Sequence, residues 1–136
     1  MGNKYIKHSK SAGGVVLNKK GQVLIVNQDG VSWSFPKGHA NKKESDLNVA
    51  RREVFEESGI TNLFLKKDLG SYQRTNLDDE NELKTIHIFL FKTDQIKLKP
   101  IDLENPEAKW VEKDEVADTL THPKDKDFFL NIIKEI

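Results

Sequence analysis

Cysteine is absent from the 136 residues. That rules out disulfides, thiolate metal centres and cysteine nucleophiles, and it is compatible with a reducing compartment. Long apolar runs are missing too: the longest, Val23 to Val26 and Ile88 to Phe91, fall far short of the roughly 20 residues that span a bilayer. No leader pattern of basic, apolar and small residues opens the chain. Met1-Gly2 starts a myristoylation-like string, but Ile6 stands where Ser or Thr is wanted. A cytoplasmic protein without a membrane partner is expected. An excess of either charge is also lacking, since Lys plus Arg and Asp plus Glu both number 22. No global positive field would gather nucleic acid, so any polyanion must be held by local groups.

What remains is enough for one domain over residues 1–136, large enough to bury a core unaided, with residues 1–9 loosely ordered. Monomer and dimer are both open. Ser11 to Leu17 reads as a buried strand whose Gly13 and Gly14 allow close approach of another backbone or a ligand. Val23 to Val26 reads as its hairpin partner, with Asp29-Gly30 as a further turn. After an extended stretch from Leu63 to Arg74, Asn76 to Asn81 reads as an acidic loop. Lys84 to Phe91 alternates, with Ile86, Ile88 and Leu90 toward a core and Thr85, His87 and Phe89 on the other side. Lys109 to Val111 is a short strand and Asp114 to Leu120 a brief helix. Pro123 precedes a last helix in which Phe128, Phe129, Ile132, Ile133 and Ile136 recur at helical spacing and would close the core.

Between these segments lies the stretch around which the chain is organised. Ser45 is a fitting N-cap and Gly59 a fitting C′ residue for a helix ending at Ser58. Leu47, Ala50 and Val54 would pack that helix on a sheet. Glu53, Glu56 and Glu57 fall on one face, within an arc of roughly 100°. Like charges so close repel by a few tenths of a kcal/mol per pair, and Glu57 lies in the last turn, where the helix dipole disfavours anions. Such crowding asks for a bound cation. Carboxylates with no cysteine or histidine beside them suit a hard ion, Mg²⁺ with Mn²⁺ as a substitute, better than zinc.

Gly38, Glu44, Arg52-Glu53-Val54, Glu56-Glu57 and Gly59-Ile60 agree with the Nudix box at nine specified positions in 23. Together with the flanking strands and helices, the chain resembles the Nudix hydrolase family from about residue 10 to 136. The resemblance implies an α/β fold, an α/β/α sandwich with a mixed β-sheet and a loop-helix-loop catalytic motif, and Mg²⁺-dependent hydrolysis of a nucleotide polyphosphate. It implies that Glu53, Glu56 and Glu57 hold metal with the Gly38 carbonyl, and that Glu44 and Arg52 brace the loops against the helix. It makes Glu104 a candidate for a further metal-binding or water-activating acid, with Glu107 its competitor.

The preceding Trp33-x-Phe35-Pro36-Lys37-Gly38-His39 is similar to the diadenosine tetraphosphate hydrolase branch. That similarity implies phosphate contacts from Lys37, His39 and Lys84, and asymmetric cleavage to a nucleoside triphosphate and monophosphate. His87 is a candidate substrate contact whose plainer reading is a strand-face histidine. Ile88, with Phe89 beside it, stands where relatives usually carry a base-stacking aromatic. Hydrolysis of housecleaning nucleotides, RNA 5′ ends or inositol pyrophosphates is the alternative within this chemistry, and a nucleotide-binding sensor the alternative outside it.

Overall fold

The longest pairing in the chain joins β1 (Lys7–Leu17) in parallel to β6 (Asp79–Lys92), from Lys7 opposite Glu82 to Leu17 opposite Lys92. The computed structural model describes residues 7–28, 30–76, 78–101 and 107–136. On its other edge β1 meets β4 (Lys37–His39) through Ser11 to Gly13 and, at Leu17, β2 (Val23–Gln28), both antiparallel. β2 carries β3 (Ser32–Ser34) and β7 (Glu107–Val111), and β5 (Phe64–Asn76) pairs with β6. The result is one mixed sheet with the order β3-β2-β1-β6-β5 along its main path.

Each side of the sheet has its own core. Ile86, Ile88 and Leu90 join Val15, Ile25 and Phe35 beneath α3 (Pro123–Ile132), which contributes Phe128, Phe129 and Ile132. Phe89 and Phe91 point to the opposite side and pack with Val49, Ala50 and Val54 of α1 (Asp46–Ser58). α2 (Val116–Thr119), preceded by a 3-10 turn over Lys113–Glu115, adds Val116 to the first core. The chain is therefore the expected α/β sandwich. Among the described residues no helix is long and apolar enough to cross a membrane.

α1 begins and ends where its sequence signals lie. The Ser45 side chain accepts the Asn48 backbone N–H, and Gly59 closes the helix at φ 80° while its N–H bonds the Phe55 carbonyl. Burial is on the order of 1.5–3 kcal/mol for each of Val49 and Val54, against a few tenths for repulsion between neighbouring carboxylates. The apolar face decides the helix, and the glutamates ride on it. Val49 is buried while the expected Leu47 is only half-buried at the core's edge.

Four boundaries move. Lys7 to Ser9 belong to β1 rather than to a loose N-terminus, because the parallel pairing with Glu82 to Lys84 engages them. The loop expected over 76–81 contracts to a tight connection, with Asn76 opposite Asp79 and Asp79 to Asn81 already in β6. Pro123 is the first residue of α3, not its predecessor; His122 is the N-cap, and its ring accepts the Lys124 N–H. The expected helix over 114–120 divides into the 3-10 turn and α2. Asp29 and Glu104 lie outside the described residues.

Candidate active site

Gly13 lets β4 lie tightly along β1: a Cβ there would stand 2.1 Å from the Pro36 carbonyl oxygen, the same oxygen that accepts the Gly14 N–H. β4 in turn is pressed against α1. A Cβ on Gly38 would fall 2.2 Å from the Glu53 carboxyl carbon, so only glycine admits that carboxylate. Glu57, 1% exposed, accepts the Lys37 backbone N–H at 3.1 Å and so joins the end of α1 to β4.

Arg52 is the hub of the cluster. Its Nε and Nη2 donate to the two oxygens of Glu44 at 2.8 and 2.9 Å, and Nη2 also donates to the His39 carbonyl at 2.8 Å. Nη1 donates to Glu53 at 2.9 Å and, over 3.3–3.4 Å, to Glu56. The guanidinium fork thus ties the loop before α1 to the helix. Hydrogen bonds from Arg52 and the Asn41 N–H hold the Glu44 carboxyl down to about 2, and the same bond to Glu44 raises the Arg52 pKa. Lys43, at φ 66°, makes the turn that delivers Glu44.

This geometry revises one expectation. The carboxylate crowding that calls for a cation in the sequence is relieved here by protein donors, Arg52 for Glu53 and Glu56 and the Lys37 N–H for Glu57. Accordingly, among the described residues no group of three acids or histidines is gathered as a metal cage. The donor chemistry still fits a hard divalent ion: the candidate ligands are all carboxylates, and Glu56 is 38% exposed and held only by long bonds. Mg²⁺ keeps several waters and is shared with substrate phosphates, so a complete protein cage is not required of it.

Cationic groups flank the cluster. Lys37 is 6% exposed rather than a surface loop residue. Burial, helped by Arg74, pulls its ammonium down to about 8 against the opposing pull of Asp125 and Glu57. Lys84 stands opposite Arg74 on the neighbouring strand and is near enough to Lys37 to add to that lowering. His39 is exposed, with Nδ1 3.1 Å from the Lys10 carbonyl. The sequence reading missed the buried pair beside them. Arg74 Nη1 donates to Asp125 at 2.9 Å, Tyr72 donates its hydroxyl to the other Asp125 oxygen at 2.5 Å, and Tyr72 stacks on Phe128 with ring centroids 4.4 Å apart. One signal was available: Asp125, Phe128, Phe129 and Ile132 share one helical stripe, and a carboxylate in an apolar stripe needs a partner.

His87 is held elsewhere. It lies on the α1 side of β6 with Nδ1 2.8 Å from Asp46 and Nε2 2.8 Å from Asp68, and its ring rests on Phe89. Burial works against its charge, but the two carboxylates outweigh burial and raise its pKa. With both nitrogens engaged, it ties the start of α1 to β5 as a clamp. Glu107 opens β7, with Asn27 as its neighbour.

The NUDIX domain family matches residues 7–132. The chain is 39% identical over 70 residues to a putative 8-oxo-dGTP diphosphatase of Bacillus subtilis, covering 51% of this chain and 46% of that one, about half its length. It is 27% identical over 138 aligned positions to an RNA pyrophosphohydrolase of Pelagibacter ubique, covering 90% and 84%. In fold it is similar to the C. elegans Ap4A hydrolase, with a TM-score of 0.80 at 20% identity over 93% of this chain and 96% of that one.

Proposed function

We propose that this chain, which belongs to the Nudix family, is a single-domain hydrolase of phosphoric anhydride bonds in nucleotide polyphosphates, working with Mg²⁺ or Mn²⁺. One observation carries the reading: Glu53 and Glu57 of one helix face meet β4 at Gly38 and at the buried Lys37, while Glu56 on the same face shares Arg52 with Glu53. Glu53, Glu56 and Glu57 would hold the metal with the Gly38 carbonyl. When bound, the ion neutralises phosphate charge and activates water for in-line attack.

The residues of the chain divide the remaining work. Arg52, fixed by Glu44 and the His39 carbonyl, holds Glu53 and Glu56 in place. It yields the long Glu56 bond most readily. Lys37 and Lys84 meet the phosphate chain, and a phosphate beside Lys37 would restore the ammonium that burial disfavours. His39 sits at the open end of the same strand. Glu104 stays a candidate acid on sequence grounds.

For substrate we favour asymmetric cleavage of a dinucleoside tetraphosphate of the diadenosine class. The Trp33-to-His39 sequence supports this, as does the likeness in fold to an Ap4A hydrolase. The second reading, a 5′-end RNA pyrophosphohydrolase, draws on the Pelagibacter relative that spans most of the chain. The test is a panel of dinucleoside polyphosphates, nucleoside triphosphates and 5′-triphosphorylated RNA with Mg²⁺, products identified, run beside Glu57→Gln. Full activity in Glu57→Gln, or in excess chelator, would overturn the metal assignment. Rates independent of the second nucleoside would overturn the dinucleoside reading.

A further inference from the structure

A strip of polar and aromatic side chains lines up on the α3 side of the sheet. Across three adjacent strands, Glu107, Asn27 and Trp33 stand in register, Asn27 being opposite both of the others. They share the side chain direction of Ile25 and Val111, which belong to the core beneath α3, and Trp33 packs against that core. The Lys109 ammonium stands 4.1 Å from the Trp33 ring centroid.

Asn27 is the informative member. It is 5% exposed, its Nδ2 donates to Glu107 at 3.4 Å, and its buried Oδ1 has no hydrogen-bond partner among the described residues. The Glu107 carboxylate can only accept, so it fixes which end of the amide carries the N–H and leaves the carbonyl end as the orphan. A buried acceptor without a donor is costly unless a ligand supplies one. Beside it the carboxylate has spare lone pairs, and next in line is an indole face. Lys37 follows Trp33 by only four positions, a span of at most about 14 Å, so a base at this strip and a phosphate at Lys37 can belong to one nucleotide.

We infer that Glu107, Asn27 and Trp33 form a nucleobase subsite that selects guanine over adenine. Guanine offers two adjacent donors, N1–H and N2–H₂, to the Glu107 carboxylate, and the second N2 hydrogen to Asn27 Oδ1. Adenine offers only its N6 donor and sets its N1 lone pair against the carboxylate. The base stacks on Trp33 in place of the Lys109 ammonium, since stacking on an aromatic outweighs a surface cation–π contact. Glu107 is thereby a specificity residue rather than the competing acid of the reaction. The inference rests on the nucleotide reading above and sharpens it, within the dinucleoside tetraphosphates, toward those that carry guanine.

Binding of GMP, IMP and AMP, followed by calorimetry and by tryptophan fluorescence, tests this without depending on turnover. GMP should bind about tenfold more tightly than AMP, as expected when a polar site is left unpaired by the wrong base. IMP, which lacks the N2 amino group, should fall between. Glu107 is exposed, so Glu107→Gln will fold, and it should bring the GMP to AMP ratio to within about twofold of one. Trp33→Ala should weaken both nucleotides. Equal GMP and AMP affinity, no binding of either, or an unchanged ratio in Glu107→Gln would overturn the subsite. A guanine preference in a protein that hydrolyses nothing would sustain the subsite and overturn the hydrolase reading. Hydrolysis with no base preference would do the reverse.

Discussion

Asp125→Asn tests whether the buried pair beside Lys37 is a structural keystone. Asp125 is 0% exposed and accepts from the Arg74 guanidinium and the Tyr72 hydroxyl, while Arg74 is itself 6% exposed in its side chain, with Nε already unpartnered. Substituting the amide keeps the volume and removes the charge, so Arg74 is left as an uncompensated buried cation. Breaking such a pair from one side costs about 3–5 kcal/mol. At a urea m-value of roughly 2 kcal/mol/M, suited to a small domain, the midpoint should fall by about 2 M with m unchanged. Replacing both partners, as in Asp125→Leu with Arg74→Met, should recover part of that loss, because the two apolar chains remove the charge desolvation while the Tyr72 hydroxyl loses its acceptor, at about 1–3 kcal/mol. A midpoint shift below about 0.5 M in the single variant, or a double variant worse than the single, would refute the reasoning. The same substitution also removes a negative charge that supports the Lys37 ammonium, so Lys37 should titrate lower still, as read by ¹⁵N NMR of the amine.

Glu44→Gln should remove an acid-side dependence of stability. The folded-state pKa of Glu44 is depressed, so its contribution is present above the unfolded value near 4.5 and is lost as pH falls toward about 2; the wild-type and variant denaturation curves should converge across that interval. His87→Asn has the opposite sign. The His87 pKa is raised, so the clamp with Asp46 and Asp68 contributes below 6.5 and fades as pH rises through the folded value, a slope the variant should lack in thermal melts between pH 6 and 8, a window taken from the histidine reference value. Gly38→Ala should lower activity by about 100-fold or more with little loss of stability, since the clash is with the flexible end of Glu53 rather than with backbone. Urea unfolding and initial rates on the same sample separate the two effects.

The fold was legible where the signal is local. Ser45 and Gly59 bound α1 because capping needs only neighbouring residues, and the alternation of Ile86, Ile88 and Leu90 marks one core face of β6. The parallel pairing of β1 with β6 was not legible, because register between strands some 75 residues apart leaves no short-range pattern. For the same reason Lys7 to Ser9 read as a loose tail, although Glu82 to Lys84 pair with them. Phe89 and His87 looked like one ambiguous strand face. Helix α1 covers it, and two acids from α1 and β5 take the histidine.

At the site, identities were legible but pairings were not. Spacing brings Glu53, Glu56 and Glu57 together, yet spacing alone cannot say what neutralises them. Arg52 reads from the sequence as a brace for Glu44, and it is that brace. The same guanidinium also reaches Glu53 and Glu56, because adjacent and i, i+4 side chains on one helix converge on its planar fork. Glu53 and Glu56 are therefore charge-compensated by a side chain of their own helix. A divalent ion must outcompete Arg52 for Glu56, or share it, whereas a lysine at position 52 could not span Glu44 and Glu53 together. Arg52→Lys should consequently keep the fold while loosening Glu53. Its signature is a raised metal requirement for activity, measured as half-saturating Mg²⁺, with the rate at saturating Mg²⁺ the less affected quantity. A half-saturating Mg²⁺ equal to that of the wild type would mean that the guanidinium does not hold the ligands in place.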